Sequence, residues 1–170
     1  IDSIGGQSRA YVGEWKLYAQ EADLFSGLNL ADPKLGGHVV WSSPRIDSDI
    51  LAGDPRTSSV DIRDVEGLTF VVGFHHARAA LVRELLWQES ERGLAAVDEL
   101  AGTVLVEASL GGAAGPWELL AEWELERDVA GAARLEFEEP VWARYLRFTA
   151  PKGAGRYIVA PQQLSVFEAE

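Results

Sequence analysis

The side chains able to do chemistry fall into two groups: a run of glutamates, and a scatter of histidine, arginine, aspartate and tryptophan in segments that read as loops. Glu118, Glu122, Glu124 and Glu126, joined by Glu136, Glu138 and Glu139, offer the carboxylates that glycoside hydrolysis would use. That chemistry needs two acids about 5 to 9.5 Å apart in a cleft, with their pKa values driven apart. Alternation with Trp117, Leu119, Ala121, Trp123 and Leu125 instead sets the glutamates on the solvated side of a strand. His75-His76 is the tempting metal-binding pair, but adjacent side chains of an extended chain point to opposite faces, so only one would meet a ligand. No nucleophile elbow, phosphate-cradling glycine loop or His-x-x-x-His spacing occurs, and the residues read as a non-enzyme.

Composition narrows the partners. The chain has 170 residues, enough for one domain with a well-buried core, and no apolar run long enough to span a bilayer. Its net charge of −12 argues against a phosphate-backbone partner, so neither nucleic acid nor membrane insertion is expected. Without cysteine there are no disulfides, thiolate zinc sites or cysteine nucleophiles. A chain with no methionine that begins at Ile1 reads as a processed or excised piece of a longer protein.

The elements that must position these residues read as strands. Arg9 to Tyr18 alternates and is expected to be one; residues 1–28 form an N-terminal strand and linker, either part of the sandwich or the tail of a preceding similar domain. His38-Val39-Val40-Trp41 is a short apolar strand, and Ser42 to Asp64 a long loop, where sites often lie. Leu68 to Phe74 suits a strand covered on both faces. Leu81 to Trp87 has helix-forming composition but no single apolar stripe, and reads as a buried strand; Gly93 to Ala101 reads as a loop. Thr103 to Ala108, Trp117 to Glu126 and Arg134 to Glu138 follow, the last ended by Pro140. Pro140 to Phe148 reads as an inner strand with Trp142, Arg144, Leu146 and Phe148 on one face; if that face is core, Arg144 must be paired with a carboxylate. Strands near Tyr157 to Val159 and Leu164 to Phe167 close an antiparallel β-sandwich.

Four places carry a family resemblance. They are Asn29-Leu30-Ala31 with Gly36 to Val40; Ile50 to Thr57; Val104 to Ser109 with Gly111-Gly112 and Pro116-Trp117; and Ala143 to Arg147 with Leu164 to Phe167. This ordered set resembles the discoidin, or coagulation-factor C-type, modules of the galactose-binding-like fold, in their bacterial forms. The resemblance implies an all-β antiparallel jelly-roll sandwich, a single domain over residues 29–170. The Asp-Gly-Asp-x-x-Thr loop of such modules departs here: Ala52 stands for its first Asp, Ser58-Ser59 for its following Trp, and Gln162 or Gln163 for a late Glu. That loop often holds calcium in the family. Calcium takes several hard oxygens, so Asp54 and Thr57 could supply only a weak site, and no cofactor is expected.

The resemblance further implies a non-catalytic module of a larger bacterial protein, secreted or in the periplasm or cell envelope, that binds carbohydrate or another cell-surface ligand through loops. The alternative is a structural or protein-interaction domain holding neighbouring protein domains together, with no small-molecule site. Sugar recognition needs an aromatic face for C–H patches and planar polar groups for hydroxyls. The candidates are Trp41, Arg45, Asp47, Asp54 and Arg56, with His75, His76 and Arg78 beyond the Leu68 to Phe74 strand. Trp41 ends an apolar strand and reads first as core, second as a platform. Arg45 and Arg56 have a competing role as surface partners of Asp47 and Asp54.

Overall fold

The structure is a computed structural model that describes residues 27–46, 48–52, 61–62, 67–88, 102–150, 158–159 and 161–169. In chain order the strands are β1 (His38–Ser43), β2 (Asp61–Ile62), β3 (Leu68–Gly73), β4 (Ala80–Gln88), β5 (Thr103–Ser109), β6 (Glu118–Glu124), β7 (Ala132–Ala143), β8 (Tyr145–Ala150), β9 (Ile158–Val159) and β10 (Gln163–Glu168). A five-stranded sheet runs β1-β3-β8-β5-β6, a three-stranded sheet β10-β4-β7, and β2 pairs with β9. Every strand pairing among the described residues is antiparallel, as the fold class requires. Short 3₁₀ turns at Pro33–Leu35, Ser48–Leu51 and His75–Ala77 complete the regular structure, and among the described residues no helix is long and apolar enough to cross a membrane. The N-terminal strand expected over Arg9 to Tyr18 and the loop from Gly93 to Ala101 lie outside the described residues.

One core lies between the two larger sheets. Phe70 stacks on Phe148 with ring centroids 5.0 Å apart, and Trp87 meets Phe70 at 6.1 Å and Trp123 edge-on at 6.3 Å. Such aromatic pairs add roughly 0.5–1.5 kcal/mol each beyond the area they bury. Burial alternates along β8, where Leu146 and Phe148 point inward, and along β4 on either side of a break at Arg83, with Ala80 and Val82, then Leu85 and Trp87, inward. The helix-forming composition of β4 is overridden because it pairs with β10 on one side and β7 on the other.

Two bulges and one corner change the expected faces. A register shift between Val106 and Glu107 inserts Leu120 as an extra residue, so Glu107 pairs with Leu119 while Val106 pairs with Ala121. An inserted residue reverses the parity beyond it. Trp123 and Leu125 are therefore buried as expected, whereas Leu119 is exposed and Leu120 packs on the core. Glu118, Glu122, Glu124 and Glu126 are all exposed, Glu122 and Glu124 as alternation required and Glu118 although the shift sets it opposite inward-facing Ala108.

Pro140 does not end a strand: β7 runs on to Ala143. Its ladder with β4 jumps from Glu84↔Glu136 to Val82↔Val141, so Pro140 sits in the break, on an edge strand where its missing N–H costs no ladder bond. The chain then turns at Arg144 and crosses to the other sheet, where β8 lies between β3 and β5. The stretch from Pro140 to Phe148 is thus two strand segments in two sheets. Trp142 and Arg144 are exposed while Leu146 and Phe148 are core.

Candidate ligand-binding site

At one end of the five-stranded sheet, β1 begins at His38, β3 ends at Gly73, β8 begins at Tyr145 and β5 ends at Ser109, and cross-strand pairing aligns these four. Gly73 supplies bare backbone in the middle. A Cβ there would stand 2.9 Å from Val40 Cγ2 and 3.2 Å from both His38 Cε1 and Tyr145 Cε1, so three side chains converge over it. The His38 ring is held by a 3.1 Å hydrogen bond between Nδ1 and the Gly36 carbonyl, which makes Nδ1 the donor and leaves Nε2 for another partner.

The connection from β3 to β4 brings in the other two histidines. Buried Phe74 anchors it, and the Ala77 and Arg78 amides donate to the Phe74 and His75 carbonyls at 2.9 and 3.0 Å. His76 and Ala77 both adopt left-handed backbone, at φ 51° and 52°. Left-handed conformation in non-glycine residues costs on the order of 1–2 kcal/mol each and marks sites where the backbone is held for a purpose. It also overturns the expectation that His75 and His76 point apart: the extended chain assumed for them is replaced by a 3₁₀ turn, and their rings lie 4.0 Å apart. His75 lies against Gly36, where any Cβ would collide with it. All three histidines of the chain thus meet at one corner. Among the described residues no group of three His, Cys, Asp or Glu is arranged to hold a metal ion.

Arg78 leaves the turn in the other direction and forks onto Glu168, with N–O separations of 3.0 and 3.1 Å. It ties the turn to the end of β10. Trp41 is not core. The irregularity in β1 sets it opposite Val71 on the outer side of the sheet, with 54% of its surface exposed. Arg45 is exposed but follows the far end of β1, since Ser43 pairs with Thr69 while His38 pairs with Gly73. It therefore does not join the histidine corner. Asp47, Asp54, Arg56 and Thr57 lie outside the described residues.

Sequence reasoning missed His38, Tyr145 and the outer side of β5 and β8. There Arg147 donates Nε and Nη2 to the two oxygens of Glu107, both at 2.6 Å, and its guanidinium lies 4.6 Å from the Trp117 ring centre. The buried pairing expected for Arg144 is found instead at Arg147, because the corner at Arg144 leaves that residue in solvent. A signal for His38 was present in the Gly36-Gly37-His38 sequence, where a tight turn delivers a polar residue to a strand start.

No protein-family model and no curated protein sequence matches the chain. Solved structures do. The family 32 carbohydrate-binding module of NanJ from Clostridium perfringens, determined with galactose, superposes at a TM-score of 0.60 with 16% identity, covering 82% of this chain and 98% of the module. The module CBM32-3 of a family 31 glycoside hydrolase from the same organism gives 0.59 at 17% identity over 85% and 96% of the two chains. The module of EndoD from Streptococcus pneumoniae gives 0.55 at 15% identity over 82% and 99%. The chain has the fold of the family 32 carbohydrate-binding modules, the discoidin-like, galactose-binding-like β-sandwich that the four motifs indicated.

Proposed function

We propose that this chain is a non-catalytic carbohydrate-binding module that takes a glycan at the histidine corner. The observation that carries the reading is the convergence of His38, Val40 and Tyr145 over bare Gly73, beside His75 and His76 on a strained turn. That arrangement supplies ring faces for sugar C–H groups and imidazole nitrogens for hydroxyls, with Gly73, lacking a Cβ, letting the His38, Val40 and Tyr145 side chains close together over it. The galactose bound by the NanJ module of the same fold supports it. The module belongs to a larger bacterial protein, secreted or held in the periplasm or cell envelope, and its partners are surface glycans.

The test is a glycan array probed at high protein concentration, followed by titration of the retained sugars against His38→Ala and His76→Ala. Both substitutions should weaken binding at least tenfold while leaving the melting temperature within a degree or so, since both side chains are exposed. A second reading, a protein-interaction domain without a sugar site, draws on exposed Trp41 and Trp142. An array with no glycan retained, together with a stable protein partner recovered by pull-down, would replace the first reading with the second.

A further inference from the structure

Beyond the corner, the outer side of the five-stranded sheet carries a row of residues unlike a solvated surface. Pairing aligns Trp41 on β1, Val71 on β3, Arg147 on β8, Glu107 on β5 and Leu119 on β6. Five strands spaced at about 4.8 Å put the ends of the row about 19 Å apart. Trp41 and Leu119 at the ends are each 54% exposed, while Val71 between them is 2% exposed and stands outside the core cluster. In the centre, the Arg147–Glu107 fork is half-buried, with Trp117 over the guanidinium. The neighbouring rows add Tyr145 on one side and, on the other, the Thr69 and Thr149 hydroxyls 3.4 Å apart.

The outer side of the three-stranded sheet is different. It carries the ion pairs Arg83–Glu136 and Arg134–Glu84, whose arginine side chains are 55% and 62% exposed, against 29% for Arg147. That is the ordinary solvated pattern. On the five-stranded side the central charges cancel within one clamp, and aromatic or aliphatic groups flank it.

We infer that this face is a platform for an extended, uncharged oligosaccharide, several sugar rings long, which continues from the histidine corner across the strands. The inference rests on the carbohydrate-binding reading and specifies its ligand class as a chain rather than a terminal sugar. Three features select that occupant. The exposed ring of Trp41 suits the C–H patch of a sugar, and Trp117 backs the Arg147 guanidinium that meets the next one. The Arg147–Glu107 clamp holds both groups in fixed orientation; two of the five guanidinium N–H groups go to Glu107, and the remaining donors and the carboxylate lone pairs can serve hydroxyls. The clamp presents no net charge, which suits a neutral chain better than an acidic one.

The test uses calorimetric titration of the whole chain with neutral β-linked galacto-, gluco- and N-acetylglucosamine oligosaccharides, from monosaccharide to hexasaccharide. For the series that binds, affinity should rise at least tenfold from the monosaccharide to the tetrasaccharide. Trp41→Ala and Leu119→Asp should remove that gain while leaving monosaccharide affinity unchanged, and both positions are exposed enough to spare folding. Trp117→Ala should do the same, with circular dichroism checking its fold. If monosaccharide binding is lost in His76→Ala but affinity is independent of length and of Trp41 and Leu119, the corner reading stands and the platform is overturned. Retention of none of these sugars overturns both, and a protein that binds wild type but not Trp41→Ala assigns the face to a protein partner instead.

Discussion

Arg147 and Glu107 face each other across β8 and β5 on the outside of the sandwich, joined by two hydrogen bonds of 2.6 Å. Their side chains keep only 29% and 17% of their exposure, although among the described residues the core cluster lies on the other side of the sheet. Water is therefore partly excluded from a surface that an ordinary solvated sheet would leave wet, and the pair is both a structural clamp and the centre of the proposed platform.

Removing one member of the clamp should cost more than removing both. Glu107→Leu leaves a half-buried guanidinium without its carboxylate and should destabilise the fold by about 1–3 kcal/mol. Adding Arg147→Leu should recover most of that loss, because the two leucines leave no unpaired charge. Urea unfolding of the two single variants and the double variant gives the coupling directly; additive losses would show that the pair contributes nothing as a pair.

Gly36 should tolerate no side chain. Its φ of 91° is left-handed, and an added Cβ would lie 2.8 Å from the Cβ of His75. Gly36→Ala is expected to lower stability by about 1–3 kcal/mol and to displace His75, so the melting temperature and sugar affinity fall together. In His75→Gly the clashing side-chain atoms are gone, so the same Gly36→Ala substitution should cost less in that background.

At His76 stability and function should separate. His76→Gly removes the strain of a φ of 51° and should stabilise the fold by roughly 0.5–1 kcal/mol after the added freedom of the unfolded chain is counted. His76→Ala keeps the strain and gives no such gain. Both should weaken sugar binding. A glycine variant that is less stable than wild type would show that the imidazole itself holds the turn.

Asp128 organises the turn between β6 and β7. Its Oδ1 accepts from the Ala130 and Ala132 amides at 2.8 and 2.9 Å. The Ala132 amide first and the Ala130 amide next, with the Arg134 charge and the Gly131 amide adding to them, hold its carboxyl below the usual aspartate value against a desolvation effect that raises it. The unfolded chain then binds the proton more readily than the folded one, so this stabilisation is present above the ordinary aspartate pKa of about 3.9 and is lost as pH falls through the folded value. Asp128→Ala should melt below wild type at neutral pH, and the gap should narrow steadily once pH drops below about 4. A gap independent of pH would assign the effect to the turn backbone rather than to the charge.

The strands of this protein were legible in its sequence wherever a single period governed them. Leu85 and Trp87, then Leu146 and Phe148, point inward as a spacing of two requires, and Glu122 and Glu124 of β6 stand in solvent for the same reason. The discoidin-like fold was legible too, in an ordered set of turns and strand ends, and the solved structure that shares it is only 16% identical. What only the tertiary structure decided lies where the period breaks. The irregularity in β1 turned Trp41 outward, the bulge opposite Glu107 exposed Leu119, and the corner at Arg144 passed the paired arginine's role to Arg147. Each is a shift of one residue in an extended chain, and such a shift exchanges the two faces without changing composition. The histidine corner has the same origin: His38 and His75 are far apart in sequence and meet because β1 and β3 pair antiparallel, with Gly36 leaving the space that the His75 imidazole fills.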